Sequence, residues 1–81
     1  MNTYVNLSDG IAAALEAQRL AQKYNKDFFD ANDLIDVIGV GEANIRKLMS
    51  RPDFPATKIG NRVVVSALAL AMWIVKQNTL G

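Results

Sequence analysis

Asp30 to Arg51, DANDLIDVIGVGEANIRKLMSR, is the stretch whose reading decides the fold. Asp30 stands where a helix N-cap belongs, and Asp33 follows three residues later in a variant of the capping box. Leu34, Ile35 and Ile38 then recur at helical spacing and give one apolar stripe. Gly39-Val40-Gly41 breaks that helix, with Val40 expected as an apolar plug between two flexible positions. Gly41 can cap the next helix, in which Ile45, Leu48 and Met49 form the expected buried stripe. Ala43, Arg46, Lys47 and Ser50 fall on the opposite face. Two short helices, a tight turn containing glycine and basic residues facing outward make a helix-turn-helix plan.

The residues that follow extend the plan. Arg51-Pro52-Asp53-Phe54-Pro55 stops the second helix, because proline disfavours the α conformation in the residue before it. TKIGNRVVVS, residues 57–66, reads as a small β-hairpin around Gly60-Asn61, which should supply the positive φ angles of the turn. Lys58 and Arg62 flank its tip. Ile59, Val63 and Val65 are the expected inward residues, with Phe54 closing the bottom. Ser66 is placed to cap a last helix, SALALAMWIVKQ, so apolar that burial nearly all round is expected. Trp73 within it reads as a core anchor or an interface residue. The fold class expected is mainly α with a small β-hairpin, a winged helix-turn-helix carrying an extra N-terminal helix.

The run from Asp33 to about Lys76 resembles the MerR-like winged-helix domains of phage and transposon excisionases and is similar to AlpA-type regulators of integrated elements. The resemblance rests on an L-x-x-x-x-G-V-[SG] helix and turn (Leu34 to Gly41) and an F-P-x-x-[KR]-I-G-x-[RK]-V wing (Phe54 to Val63). It covers somewhat more than half the chain, and the wing is its most specific part. The chain departs from the pattern at Gly41, where serine is commoner, at the acidic Glu42, and in its very apolar last helix. The resemblance implies a DNA-binding protein of a mobile element, without catalysis. It would be an excisionase (recombination directionality factor), working on double-stranded DNA beside an integrase, or a transcriptional regulator. Two alternatives stay open: the DNA-recognition domain of a phage terminase small subunit, and a protein-interaction module that has lost DNA binding.

Charge placement agrees with the leading reading better than net charge does. The 81 residues sum to +1. Residues 1–41 hold Arg19, Lys23 and Lys26 against Asp9, Glu16, Asp27, Asp30, Asp33 and Asp36. Residues 42–81 hold Arg46, Lys47, Arg51, Lys58, Arg62 and Lys76 against Glu42 and Asp53. Five of these cations crowd onto the second helix and the hairpin, the footprint of a phosphate-contacting face. The candidate DNA-binding residues are therefore Glu42, Ala43, Asn44, Arg46, Lys47, Ser50, Arg51, Lys58, Asn61 and Arg62. Arg46 has the chemistry to read guanine, Lys47 to neutralise phosphate, and Asn44 or Glu42 to meet adenine or cytosine edges. For Glu42 the competing reading is a first-turn acid stabilising the helix dipole.

Other chemistries find little support. The chain has no Cys and no His, which removes thiolate nucleophiles, imidazole bases and the usual zinc ligands. Asp27, Asp30, Asp33 and Asp36 lack the alternating oxygen ligands and glycine turn of a calcium loop. Gly39-Val40-Gly41 follows no strand and lacks the third glycine of a dinucleotide fingerprint. No metal or cofactor is expected. No secretory leader is visible, and the apolar run Ala67 to Val75 is too short to span a bilayer, so a cytoplasmic protein is expected.

Residues 1–29 read as a helical extension ahead of a winged domain at 30–81. Residues 1–6 should be frayed. Ser8 is placed to cap the alanine-rich IAAALEAQRLAQKY, and Asn25-Lys26 to end it. On a helical wheel Leu7, Ile11, Ala14 and Leu15 fall on one side, and Ala13, Ala17, Leu20 and Tyr24 well round from them. Glu16, Arg19 and Lys23 fill a narrow polar sector. So wide an apolar arc allows two outcomes: packing wholly on the chain's own domain, or use of one side in a homo-oligomer together with the apolar last helix. Phe28-Phe29 should anchor the linker to the core.

Overall fold

A computed structural model describes residues 7–80, with side chains over 10–77. The frayed start expected over 1–6, and the side chains of Leu7 and Ser8, lie outside that description. The elements are α1 (Leu7–Tyr24), β1 (Phe28–Phe29), α2 (Ala31–Ile38), α3 (Glu42–Met49), β2 (Thr57–Ile59), β3 (Arg62–Ser66) and α4 (Ala67–Leu80). This is the helix-turn-helix, hairpin and closing helix that the sequence announces, preceded by the extra helix.

Each boundary has a local cause. α1 opens at Leu7, so Ser8 lies inside its first turn and is not its cap. It closes on Asn25, held at φ 55°, while the Lys26 N–H donates to the Ala21 carbonyl at 3.1 Å. That is the six-residue closing bond of a Schellman turn, with asparagine in the left-handed position. α2 starts on a full capping box. The Asp33 N–H donates to Asp30 Oδ1 and the Asp30 N–H to Asp33 Oδ2, both at 3.0 Å. The Ala69 N–H donates to Ser66 Oγ at 3.0 Å, which fixes the start of α4.

A strand that the sequence reading treats as linker completes the sheet. β1 pairs antiparallel with β3 through Phe28↔Ser66 and Phe29↔Val65, giving the strand order β1-β3-β2. Strand alternation then sends the two phenylalanines to opposite faces. Phe29 is fully buried and anchors the segment, whereas Phe28 is 53% exposed and does not.

The hairpin register corrects the expected inward set in the same way. Ile59 lies opposite Arg62 and Lys58 opposite Val63, across the two-residue loop Gly60-Asn61. Ile59 therefore points to the face away from Val63 and Val65, and it is exposed. Val65 is buried beside Phe29. Val63 shares that face but projects past the core and stays exposed, while Val64, on the reverse face, is buried. Only Gly60 takes a positive φ (63°); Asn61 does not. That sign pattern belongs to a II′ turn, with glycine first, and not to the I′ turn in which both residues turn left-handed.

The core gathers one or two residues from nearly every element: Leu20, Phe29, Leu34, Ile45, Phe54, Val65, Ala67 and Leu70. Phe54 closes the bottom as expected, stacked edge-on against Trp73 with ring centroids 5.1 Å apart. Tyr24 meets Phe29 edge-on at 5.9 Å. α1 packs along α4 through Ala13, Ala17, Leu20 and Tyr24, which turn inward, and leaves Ile11 and Leu15 exposed. α4 is less buried than its composition suggests. Ala67, Leu70 and Ala71 are covered, Ala69, Trp73 and Ile74 are partly covered, and Leu68 and Met72 are exposed. No helix among the described residues is long and apolar enough to cross a membrane.

Candidate nucleic-acid interface

The site is built on the turn between α2 and α3. Gly39 caps α2 in the left-handed region (φ 82°) and its N–H donates to the Ile35 carbonyl at 2.9 Å. Gly41 swings back to extended backbone (φ −72°) and serves as N-cap of α3, accepting from the Ile45 N–H at 3.1 Å. Val40, between them, is exposed and does not act as a plug. Ile45 alone of α3 is fully buried; Leu48 and Met49, expected in the same stripe, are half-covered. The helix lies at the margin of the core, with most of its circumference free.

That free surface carries Glu42, Ala43, Asn44, Arg46, Lys47 and Ser50, all exposed as the sequence places them. The wing brings Asn61 and Arg62 toward it. Asp30 and Asn32 at the start of α2, Arg46 and Ser50 on α3, and Asn61 and Arg62 at the wing line one open groove of about 460 Å³. Met49 and Val63 give it an apolar flank. Of the ten candidate residues, the fold thus unites Arg46, Ser50, Asn61 and Arg62. Glu42, Ala43, Asn44, Lys47, Arg51 and Lys58 are exposed but do not line the groove.

The arginines are not bare charges. Arg46 donates from Nε to Glu42 Oε2 at 2.9 Å, one turn back on α3, with Nη2 in ion-pair contact with the same oxygen at 2.7 Å. Arg51 grips Asp53 with Nε at 2.9 Å and Nη2 at 2.6 Å. Arg62 donates from Nη2 to Asp30 Oδ2 at 2.9 Å, joining the wing to the first helix of the pair. Lys47 and Lys58 carry no ion pair among the described residues. Ser50 is engaged at its own helix end, its hydroxyl donating to the Arg46 carbonyl at 2.8 Å.

Asp30 and Asn32 are the polar groove residues that the sequence reading missed as part of the site, beside the apolar Ala31, Met49 and Val63. Asp30 is legible as a helix cap, but its second oxygen is taken by a wing residue 32 positions away. The one available signal was the unmatched charge of Arg62 beside a cap with a free acceptor. Asp33 serves both a helix start and a surface pair: it closes the capping box and accepts from Lys26 Nζ at 2.7 Å.

The Asp33 N–H holds the Asp30 carboxyl below the ordinary carboxylate range, with further help from the Asp33 side chain and Arg62, against an opposing push from partial burial. A depressed folded value means that the contribution to stability is complete above the ordinary range, about pH 4. It is lost as pH falls through the lower folded value. Asp30→Asn keeps a competent cap and has no proton to take up. Denaturant melts between about pH 4 and pH 2 should therefore show a shallower acid loss for Asp30→Asn than for the parent. Equal slopes would remove Asp30 from the acid response.

Comparison of the chain with family models, with curated proteins and with solved structures returns no match.

Proposed function

We propose that this chain is a sequence-specific double-stranded-DNA-binding protein. Within that class, the motif resemblance favours an excisionase or an AlpA-like transcriptional regulator of a mobile element, with an integrase as the protein partner of the first. The observation that carries the reading is the convergence of α3 and the wing. Arg46 and Ser50 on one wall, and Asn61 and Arg62 on the other, face a single open groove.

The dimensions suit the task. An α-helix with its side chains is about 10–12 Å across, and the major groove of B-DNA is about 12 Å wide. α3 presents Ala43, Asn44, Arg46 and Lys47 on an unobstructed face. Its early residues meet base edges in the usual docking of such a helix, while the wing tip, with Lys58, Asn61 and Arg62, follows the sugar-phosphate backbone toward the neighbouring minor groove. Phosphate contacts fix register, and Arg46 or Asn44 supply the readout. No chemical step is assigned to the chain.

A second reading draws on a different surface. Ile11 and Leu15 on α1, and Leu68 and Met72 on α4, are about half exposed each. Four large apolar side chains on the outer sides of two packed helices support a protein-interaction role, with a second copy of this chain as the simplest partner. A titration of a mixed-sequence duplex into isotopically labelled protein, followed by amide chemical shifts, separates the readings. The DNA reading predicts changes confined to α3, residues 57–62 and the start of α2. Changes confined to α1 and α4 that depend on protein concentration and ignore DNA would contradict it.

A further inference from the structure

Three of the five cations on the candidate face are already held by carboxylates of the same chain. Arg46 is gripped by Glu42, Arg51 by Asp53 and Arg62 by Asp30, at 2.6 to 2.9 Å. The pairs are solvent-exposed: the arginine side chains are 71%, 53% and 69% accessible. Exposed ion pairs add little to folding stability. Their consequence lies in what the face offers to a ligand.

The three pairs differ in a way that matters for DNA. Arg51 spends Nε and Nη2 on its carboxylate, and Arg46 donates Nε to Glu42 Oε2 with Nη2 2.7 Å from the same oxygen, so in both the lateral edge of the guanidinium faces a carboxylate. That edge is one of the two from which arginine binds a phosphate or a base bidentately. Arg62 gives only Nη2 to Asp30, whose other oxygen is occupied by the Asp33 N–H. Arg62 can therefore keep Asp30 and still turn its remaining donors to a phosphate. Arg46 and Arg51 must either exchange their carboxylate or approach DNA end-on, with the carboxylate close behind repelling the phosphate.

We infer that Glu42 and Asp53 are specificity-determining residues: intramolecular rivals of phosphate that suppress sequence-independent DNA binding. The inference rests on the DNA-binding reading above. Generic binding is driven by phosphate neutralisation and counterion release, and on this face it is left mainly to Lys47 and Lys58, with Arg62. Arg46 and Arg51 contribute fully only where a site offers geometry better than the carboxylate they already hold. The low net charge of the chain, +1, is then part of the recognition and no obstacle to it.

The test compares the parent with Glu42→Gln/Asp53→Asn, which keeps side-chain size at two exposed positions. The probe is a mixed-sequence duplex, and affinity is measured over a range of salt. The variant should bind roughly tenfold tighter at low salt, with a salt slope steeper by up to about two phosphate equivalents. A charge-matched control, Glu16→Gln/Asp36→Asn, neutralises two carboxylates outside the arginine cluster and should change affinity far less. Parent and variant binding alike, or the control gaining as much as the variant, would overturn the inference and leave the DNA-binding reading standing. If parent, variant and control all fail to bind any duplex at low salt, the DNA-binding reading falls and the inference with it.

Discussion

Phe29→Ala should bring the chain to the edge of unfolding at room temperature. Phe29 is completely buried, joins β1 to β3 opposite Val65, and meets the Tyr24 ring edge-on. Truncating a buried phenylalanine to alanine costs about 3–5 kcal/mol, from lost transfer energy and the cavity left behind. A single-core domain of this size holds on the order of 5 kcal/mol in all. The loss is therefore comparable to the whole stability. Phe28→Ala, one residue away on the exposed face, should change stability by well under 1 kcal/mol. Thermal or denaturant melts of the two variants side by side check both halves. A small effect at Phe29, or equal effects at both, would mean that β1 is not part of the fold.

The same residue shows where sequence reading succeeds and where it stops. The α2–turn–α3 unit was legible because its determinants are local: the Asp30/Asp33 box, the Gly39 and Gly41 hinge, and the stripe built on Leu34 and Ile45 all act within a turn or two. The end of α1 at Asn25, the stop after Met49 and the start of α4 behind Ser66 were legible for the same reason. β1 was not. Two residues have no periodicity to detect, and Phe29 becomes a strand residue only by meeting Val65, 36 positions later. In the wing the loop was read correctly but the inward set was not. Fixing the loop as Gly60-Asn61 puts Ile59 across from Arg62, so Ile59 cannot share a face with Val63 and Val65. For α1, composition showed a wide apolar arc but not which part of it meets α4. That choice follows from the fit between the helices: the small Ala13 and Ala17 and the buried Leu20 turn inward, and Ile11 and Leu15 are left outside.

The candidate site divides along the same line. Exposure of Glu42, Ala43, Asn44, Arg46, Lys47 and Ser50 followed from the helical wheel of α3. Their grouping did not. The groove forms where the wing meets the start of α2, with Arg62 on Asp30, two segments remote in sequence. Val40 illustrates the reverse error: an apolar residue flanked by glycines reads as a plug, yet the backbone turns it to solvent.

The second large effect concerns the face itself. Arg46→Ala/Lys47→Ala/Arg62→Ala removes one candidate base-reading group and two candidate phosphate contacts from exposed positions, so folding should be nearly unaffected. The sum of one bidentate base contact and two phosphate contacts is about 3 kcal/mol, or roughly a hundredfold in affinity. The salt slope should also fall by about one for each phosphate contact removed. Fluorescence anisotropy with a labelled duplex from the gene's own upstream region, at low and moderate salt, is the measurement that bears most directly on the central claim. The account predicts salt-sensitive binding by the parent and its near-complete loss in the triple variant, with melting unchanged. Equal behaviour of parent and variant, or no binding by either at low salt, would contradict the assignment of function to α3 and the wing.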